Sequence, residues 1–232
     1  ARKISVECVA EKGGGKVNEP YITLAGRSDA ELTEKKSRFL SFAAPVGSEA
    51  EAIAFISEIR SAYPDARHCV YAYRITSSPP YTARYSDDGE PQGTGGLPVL
   101  DVLKKRGIGD AAIAVVRYFG GILLGAPGLV RAYSSSASLA VRAAGLVRMT
   151  PLAPVTVSVS YPLWGRLEAS APRFSVSSGQ PEYAEQVKCT FYVYPENTES
   201  AISAIADICS GKAECSLGDI RYFAVPVEES GD

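Results

Sequence analysis

Two glycine-rich stretches carry the side chains best suited to chemistry. The first is Ser86-Asp87-Asp88-Gly89-Glu90-Pro91-Gln92-Gly93-Thr94-Gly95-Gly96, with three carboxylates within four positions. Carboxylates this close repel one another. A loop keeps them together when they are solvated or meet a cation or a basic partner. The glycines behind them permit left-handed turns and close backbone approach. Gly95 and Gly96, entering a helix, expose unpaired N–H groups that favour an anion. The spacing departs from the EF-hand ligand series and excludes that cation site. A solvated hairpin loop is the reading without a ligand.

The second stretch runs from Arg117 through Tyr118-Phe119-Gly120-Gly121-Ile122-Leu123-Leu124-Gly125-Ala126-Pro127-Gly128 to Arg131. Arg117 closes a hydrophobic strand, where a guanidinium needs a carboxylate or an anionic ligand. Asp87, Asp88 and Glu90 are its internal candidates. The loop then feeds a helix N-terminus, a place for phosphate. No Gly-Lys-Ser/Thr follows, so this is not a P-loop, and the glycine spacing is not the dinucleotide fingerprint. The candidate ligand-binding residues are therefore Asp87, Asp88, Glu90, Gly95, Gly96, Arg117, Gly120, Gly121 and Arg131. The plainer alternative is a tight turn with a buried arginine–aspartate pair.

Elsewhere the chemistry is thinner. His68 and Cys69 are adjacent on a predicted strand and point to opposite faces, so they do not form a nucleophile–base pair by themselves. No Ser/His/Asp triad can be assembled, and no catalytic residue is identified. His68 is the only histidine, and Cys8, Cys69, Cys189, Cys209 and Cys215 contain no CxxC. This pattern reads as reduced cytosolic thiols, with no metal site and no cofactor. Two basic clusters, Lys35-Lys36-Ser37-Arg38 and Lys104-Lys105-Arg106, are solvated faces or contacts for nucleic-acid phosphates. Tyr71, Tyr73, Tyr81 and Tyr85 offer stacking surfaces or simple packing.

These residues must be positioned by the elements around them. Ser48 and Glu51 form a capping box that starts a helix reaching about Ala62, with Ala52, Phe55, Ile56, Ile59 and Tyr63 on its apolar face. Residues 68–75 alternate as a strand, and 81–85 return as its hairpin partner. A helix over 97–106 ends at Gly107. Ala111 to Val116 is apolar on both faces, as a covered central strand should be. A helix over about 127–144 presents Leu129, Ala132, Tyr133, Ser136, Ala137, Ala140, Val141 and Ala144. Met149 to Pro154 reads as a linker stiffened by two prolines. Beyond it the order is β-α-β-β-α-β, with strands near 155–159, 174–178, 187–193 and 220–225 and helices near 163–170 and 199–209.

The 232 residues suit two domains. The expected division is a partly ordered extension over 1–30, with a flexible Gly13-Gly14-Gly15, a domain over 31–149 and another over 154–227. Residues 1–150 carry 19 lysines and arginines against 15 carboxylates, and residues 151–232 carry 5 against 11. The first part can hold an anion, whereas the second is a poor binder of phosphate backbones. The longest apolar run falls far short of a membrane helix of roughly 18 residues. Ala1-Arg2-Lys3 leads into a mixed stretch rather than a signal peptide. The expected location is cytoplasmic, away from membranes.

Four segments in order resemble the YigZ/IMPACT family of cytosolic proteins: Lys35-Lys36-Ser37-Arg38-Phe39, Pro64-Asp65-Ala66-Arg67-His68-Cys69, Ser86-Asp87-Asp88-Gly89-Glu90-Pro91 with Gly93-Thr94, and Val116 to Gly125. The resemblance covers about Glu34 to Ala144, and more loosely Pro154 to Val227. It implies an α+β protein with an N-terminal domain like domain 2 of ribosomal protein S5. The implied C-terminal domain is ferredoxin-like, similar to the last domain of elongation factor G. Both analogies point toward RNA, the ribosome or a translation factor as partner. Eukaryotic relatives regulate translation under stress through an additional N-terminal domain that has no counterpart here. An enzyme or sensor for a small phosphorylated ligand around Arg117 is the alternative.

Overall fold

The computed structural model describes residues 19–77 and 81–227. The Gly13-Gly14-Gly15 stretch, expected to be flexible, lies outside them. The described chain is mixed α/β, with two sheets and five α-helices, and it divides into two compact units.

The first unit spans Tyr21–Arg148. Its elements are β1 (Tyr21–Leu24), β2 (Ser28–Glu34), β3 (Ser37–Pro45), α1 (Glu49–Ala62), β4 (His68–Ile75), β5 (Thr82–Ser86), α2 (Gly96–Lys105), β6 (Ala111–Tyr118) and α3 (Gly125–Ala144). Five strands form an antiparallel sheet in the order β2-β3-β6-β4-β5. β6 lies at its centre, and every residue from Ala111 to Val116 is fully buried. Ala112, Ala114 and Val116 face α1 through Phe55, Ile56 and Ile59. Ala111, Ile113 and Val115 face α2 and α3. Covering both faces of one strand explains why its sequence does not alternate in polarity.

The small residues expected on α3 are all buried against that second layer, which lets the helix lie close to the sheet. Ser48 accepts from the Glu51 N–H at 3.2 Å, as the capping box requires. The Glu51 carboxylate reaches one residue further back, to the Gly47 N–H at 2.7 Å.

Strands begin earlier than the hydrophobic pattern indicated. β2 alternates, with Ala30 and Leu32 inward and Asp29, Glu31 and Thr33 outward, but only two apolar residues mark its inner face. It is held by pairing with β3 through a two-residue turn in which Lys35 and Lys36 adopt φ of 45° and 65°. That is the left-handed pair a tight hairpin needs, here made without glycine. β1 is fixed by a parallel bridge between Ile22 and Ile108 and by buried Leu24. The expected extension to residue 30 therefore includes ordered strand.

β7 (Leu146–Val159) runs through the boundary, so the expected linker at Met149 to Pro154 is strand. Proline lacks an N–H but keeps its acceptor, and the Pro154 carbonyl accepts from Gly218 N–H at 2.9 Å. The second unit, Met149–Val225, continues with α4 (Tyr161–Ser170), β8 (Ser177–Ser178), β9 (Glu182–Tyr183), β10 (Val187–Val193), α5 (Thr198–Ile208), β11 (Glu214–Leu217) and β12 (Arg221–Pro226). β10 pairs antiparallel with β7 on one side and with β8 and β9 on the other, and β11 pairs antiparallel with β7. Trp164, Leu167, Phe191, Ala201 and Ile205 fill the core between helices and sheet. Of the expected strand at 174–178 only Ser177–Ser178 is strand, and residues 174–176 are irregular chain following a 3-10 helix (Ala171–Arg173). β9 and β11, short and exposed, were not expected.

Candidate functional site

Three adjacent strands bring one row of side chains to the α3 face of the first sheet. In register, Phe39 of β3 and His68 of β4 flank Arg117 of β6. Directly opposite residues share a face, so the register alone places an aromatic ring and an imidazole beside the guanidinium. Its centre lies 5.4 Å from the Phe39 ring and 5.7 Å from the Phe119 ring, within cation–π range.

Glu90 supplies the counter-charge. Arg117 Nη1 donates to Glu90 Oε1 at 2.6 Å, and the two side chains are only 7% and 3% exposed. The Tyr133 hydroxyl from α3 donates to the same oxygen at 2.7 Å. Burial, then the charge of Glu90, push the Tyr133 hydroxyl far above its ordinary range, so it remains a donor. Of the three carboxylates that could have met Arg117, Glu90 alone does so.

Asp87 and Asp88 serve the loop. Asp87 Oδ1 accepts from the N–H groups of Gly95 and Gly96 at 2.9 and 2.8 Å, and Oδ2 accepts from Gly93 at 2.8 Å. The N-terminus of α2 thus meets an anion of its own chain. Gly96 is required there, because a Cβ would come within 2.6 Å of the Ser86 carbonyl. Asp88 accepts from the Cys69 N–H at 2.7 Å and pairs with Arg60 at 2.9 Å.

The Asp88 carbonyl lies 2.8 Å from His68 Nδ1. A carbonyl only accepts, so Nδ1 must carry the proton. Nε2 lies 4.0 Å from Glu90 Oε1.

Above this row opens a cleft of about 360 Å³. Arg67, His68, Glu90 and Arg117 give it polar walls, and Pro91, Phe119, Leu123, Leu124 and Leu129 give it apolar ones. Gly125 and Ala126, the first two residues of α3, also line it. Their N–H groups have no partner among the described residues, and Leu124 provides no side-chain cap. Arg67 makes no hydrogen bond or ion pair among the described residues. The Nε–H of Arg117 is buried and also lacks a partner. Two arginines against one carboxylate leave a net positive charge, reinforced by the helix N-terminus. Leu123 is 83% exposed, an unusual position for a leucine beside polar groups.

Several expected residues stand apart from the cleft. Gly120 is a packing position, since a Cβ there would meet the Lys36 backbone at 2.0 Å. Gly121 bends the chain at φ 82°. Arg131 is exposed on α3 and does not line the cleft. Lys35, Lys36 and Arg38 are exposed at the β2–β3 turn, with Arg38 paired to Glu31 at 2.8 Å. Lys104, Lys105 and Arg106 are exposed at the end of α2, where cations suit the helix dipole. Arg67 and Tyr133 are the site members that spacing did not single out. The β4–β6 register, which no local pattern prints, brings them together. No group of three or more His, Cys, Asp or Glu that could hold a metal occurs among the described residues.

Family models match both parts of the chain. The Impact N-terminal domain covers residues 35–141, and a domain of unknown function, DUF1949, covers 157–212. IMPACT family member YvyE of Bacillus subtilis is 34% identical over 203 residues, covering 88% of this chain and 93% of that protein. The chain belongs to the YigZ/IMPACT family. IMPACT family member YigZ of Escherichia coli is 42% identical over 129 residues, covering 55% of this chain and 63% of that one. Among solved structures, the crystal structure of a hypothetical protein matches with a TM-score of 0.55 and 30% identity, covering 91% of this chain and 99% of that chain. The Impact N-terminal match contains every polar residue of the cleft, so the cleft belongs to the part this chain shares most clearly with its family.

Proposed function

We propose that this IMPACT family protein is a cytoplasmic regulatory binding protein acting on RNA, the ribosome or a translation factor, and that the Arg117 cleft is its recognition site. The observation that carries the reading is the cleft itself. It holds a positively charged Arg67 beside a helix N-terminus, and neither has a partner among the described residues. Fold analogy supports the translation link. The first unit is read as S5 domain 2-like. The second is read as ferredoxin-like, which its order β8-β10-β7-β11 supports. No helix among the described residues is long and apolar enough to cross a membrane, in keeping with that location.

The test is fluorescence anisotropy with a labelled single-stranded RNA across a salt series. Binding should weaken with salt, and Arg67→Ala should lower the log–log slope by about 0.7 per lost phosphate contact. Absence of binding to RNA and to purified ribosomes at low salt would remove the reading. A second reading, an enzyme or sensor for a small phosphorylated ligand, is favoured by cleft volume, which falls within the roughly 300–1,000 Å³ of small-molecule sites.

A further inference from the structure

We infer that the cleft recognises a phosphate monoester joined to a planar or apolar group. The inference rests on the cleft being a recognition site and names what enters it. Three features select the anion. Gly125 and Ala126 offer two free N–H groups at the head of a helix of 20 residues. Pro127 contributes none, so the donor set is small and directed. Arg67 adds a cation, and the guanidinium of Arg117, whose side chain is 7% exposed, adds charge in the wall.

His68 commits its Nδ1 proton to the Asp88 carbonyl, and its Nε2 lies 4.0 Å from Glu90 Oε1 in the same wall. A phosphate monoester brings several oxygens that can accept from the two N–H groups and from a guanidinium at once. The apolar walls select what is attached. Phe119 is 50% exposed, and with Leu123 and Pro91 it offers area to a ring or chain. A nucleoside 5′-monophosphate fits this description, free or as the phosphorylated end of an RNA.

Isothermal titration at neutral pH tests the ligand class. Phenyl phosphate should bind about tenfold or more tightly than inorganic phosphate, the gain of one buried ring. Arg67→Ala should weaken both, with the melting temperature unchanged because Arg67 holds nothing else. Equal binding of phenyl phosphate and inorganic phosphate overturns the inference. Adenosine monophosphate and a 5′-phosphorylated hexaribonucleotide separate the sources, the tighter one being the natural form. A 5′-hydroxyl hexamer that binds as tightly as its phosphorylated twin, yet is weakened by Arg67→Ala, would overturn this inference and leave the recognition site standing. No probe responding to Arg67→Ala would sink both.

Discussion

Helices α2 and α3 each begin at the end of a glycine-rich loop, and the two N-termini are treated in opposite ways. At α2 the chain folds its own Asp87 back onto Gly95, Gly96 and Gly93. At α3 the preceding loop holds Phe119, Ile122 and Leu123, which are exposed, and no carboxylate reaches Gly125 or Ala126. The same backbone feature is closed in one place and open in the other. The closed end stabilises the fold. The open one faces a cleft with spare positive charge. Glycine-rich character alone therefore does not mark a ligand site; what distinguishes the two is whether the chain supplies the anion.

Substitutions at the closed elements should change stability, and those at the open end should change binding. The largest effect is expected at Glu90. Glu90→Ala strands the Arg117 charge and removes the acceptor of Tyr133, which should cost about 3–5 kcal/mol in urea unfolding. Asp87→Ala unpairs three backbone donors that water can partly re-solvate, and about 2 kcal/mol is expected by the same method. Near-equal losses at Glu90 and at exposed Arg67 would erase the distinction between structural and open charges.

A smaller and pH-dependent effect sharpens it further. Tyr133 has a raised folded-state pKa, so its contribution is complete below pH 10 and declines as pH rises above that value, where the unfolded tyrosine ionises and the folded one does not. Tyr133→Phe should be less stable than the wild type at pH 8. The gap should close above pH 10 by about 1.4 kcal/mol per pH unit. A gap that stays constant to pH 11.5 would show that Tyr133 ionises in place.

Much of this arrangement was legible from residue patterns. The helical periodicity of α1 and α3, the double-sided burial of β6 and the need of Arg117 for a carboxylate all follow from local rules. The choice of Glu90 over Asp87 and Asp88 does not. Three neighbouring carboxylates are equivalent in sequence, and the turns at Asp88 and Gly89, with φ of 45° and 85°, decide which points inward. β2 was hidden because only Ala30 and Leu32 mark the inner face of a charged edge strand, and the expected linker because prolines in β7 imitate a break. Gly95 and Gly96 were read as unpaired donors for an anion, and the internal Asp87 that takes them was visible only once the loop closed. Arg67 escaped notice because its isolation is a property of the fold.

The most direct test is an NMR titration of the backbone amides with phenyl phosphate. The account predicts saturable shifts at Gly125 and Ala126, with Gly95 and Gly96 unmoved because Asp87 already holds them. Shifts confined to Gly95 and Gly96, or no saturable shift at Gly125 and Ala126, would contradict it.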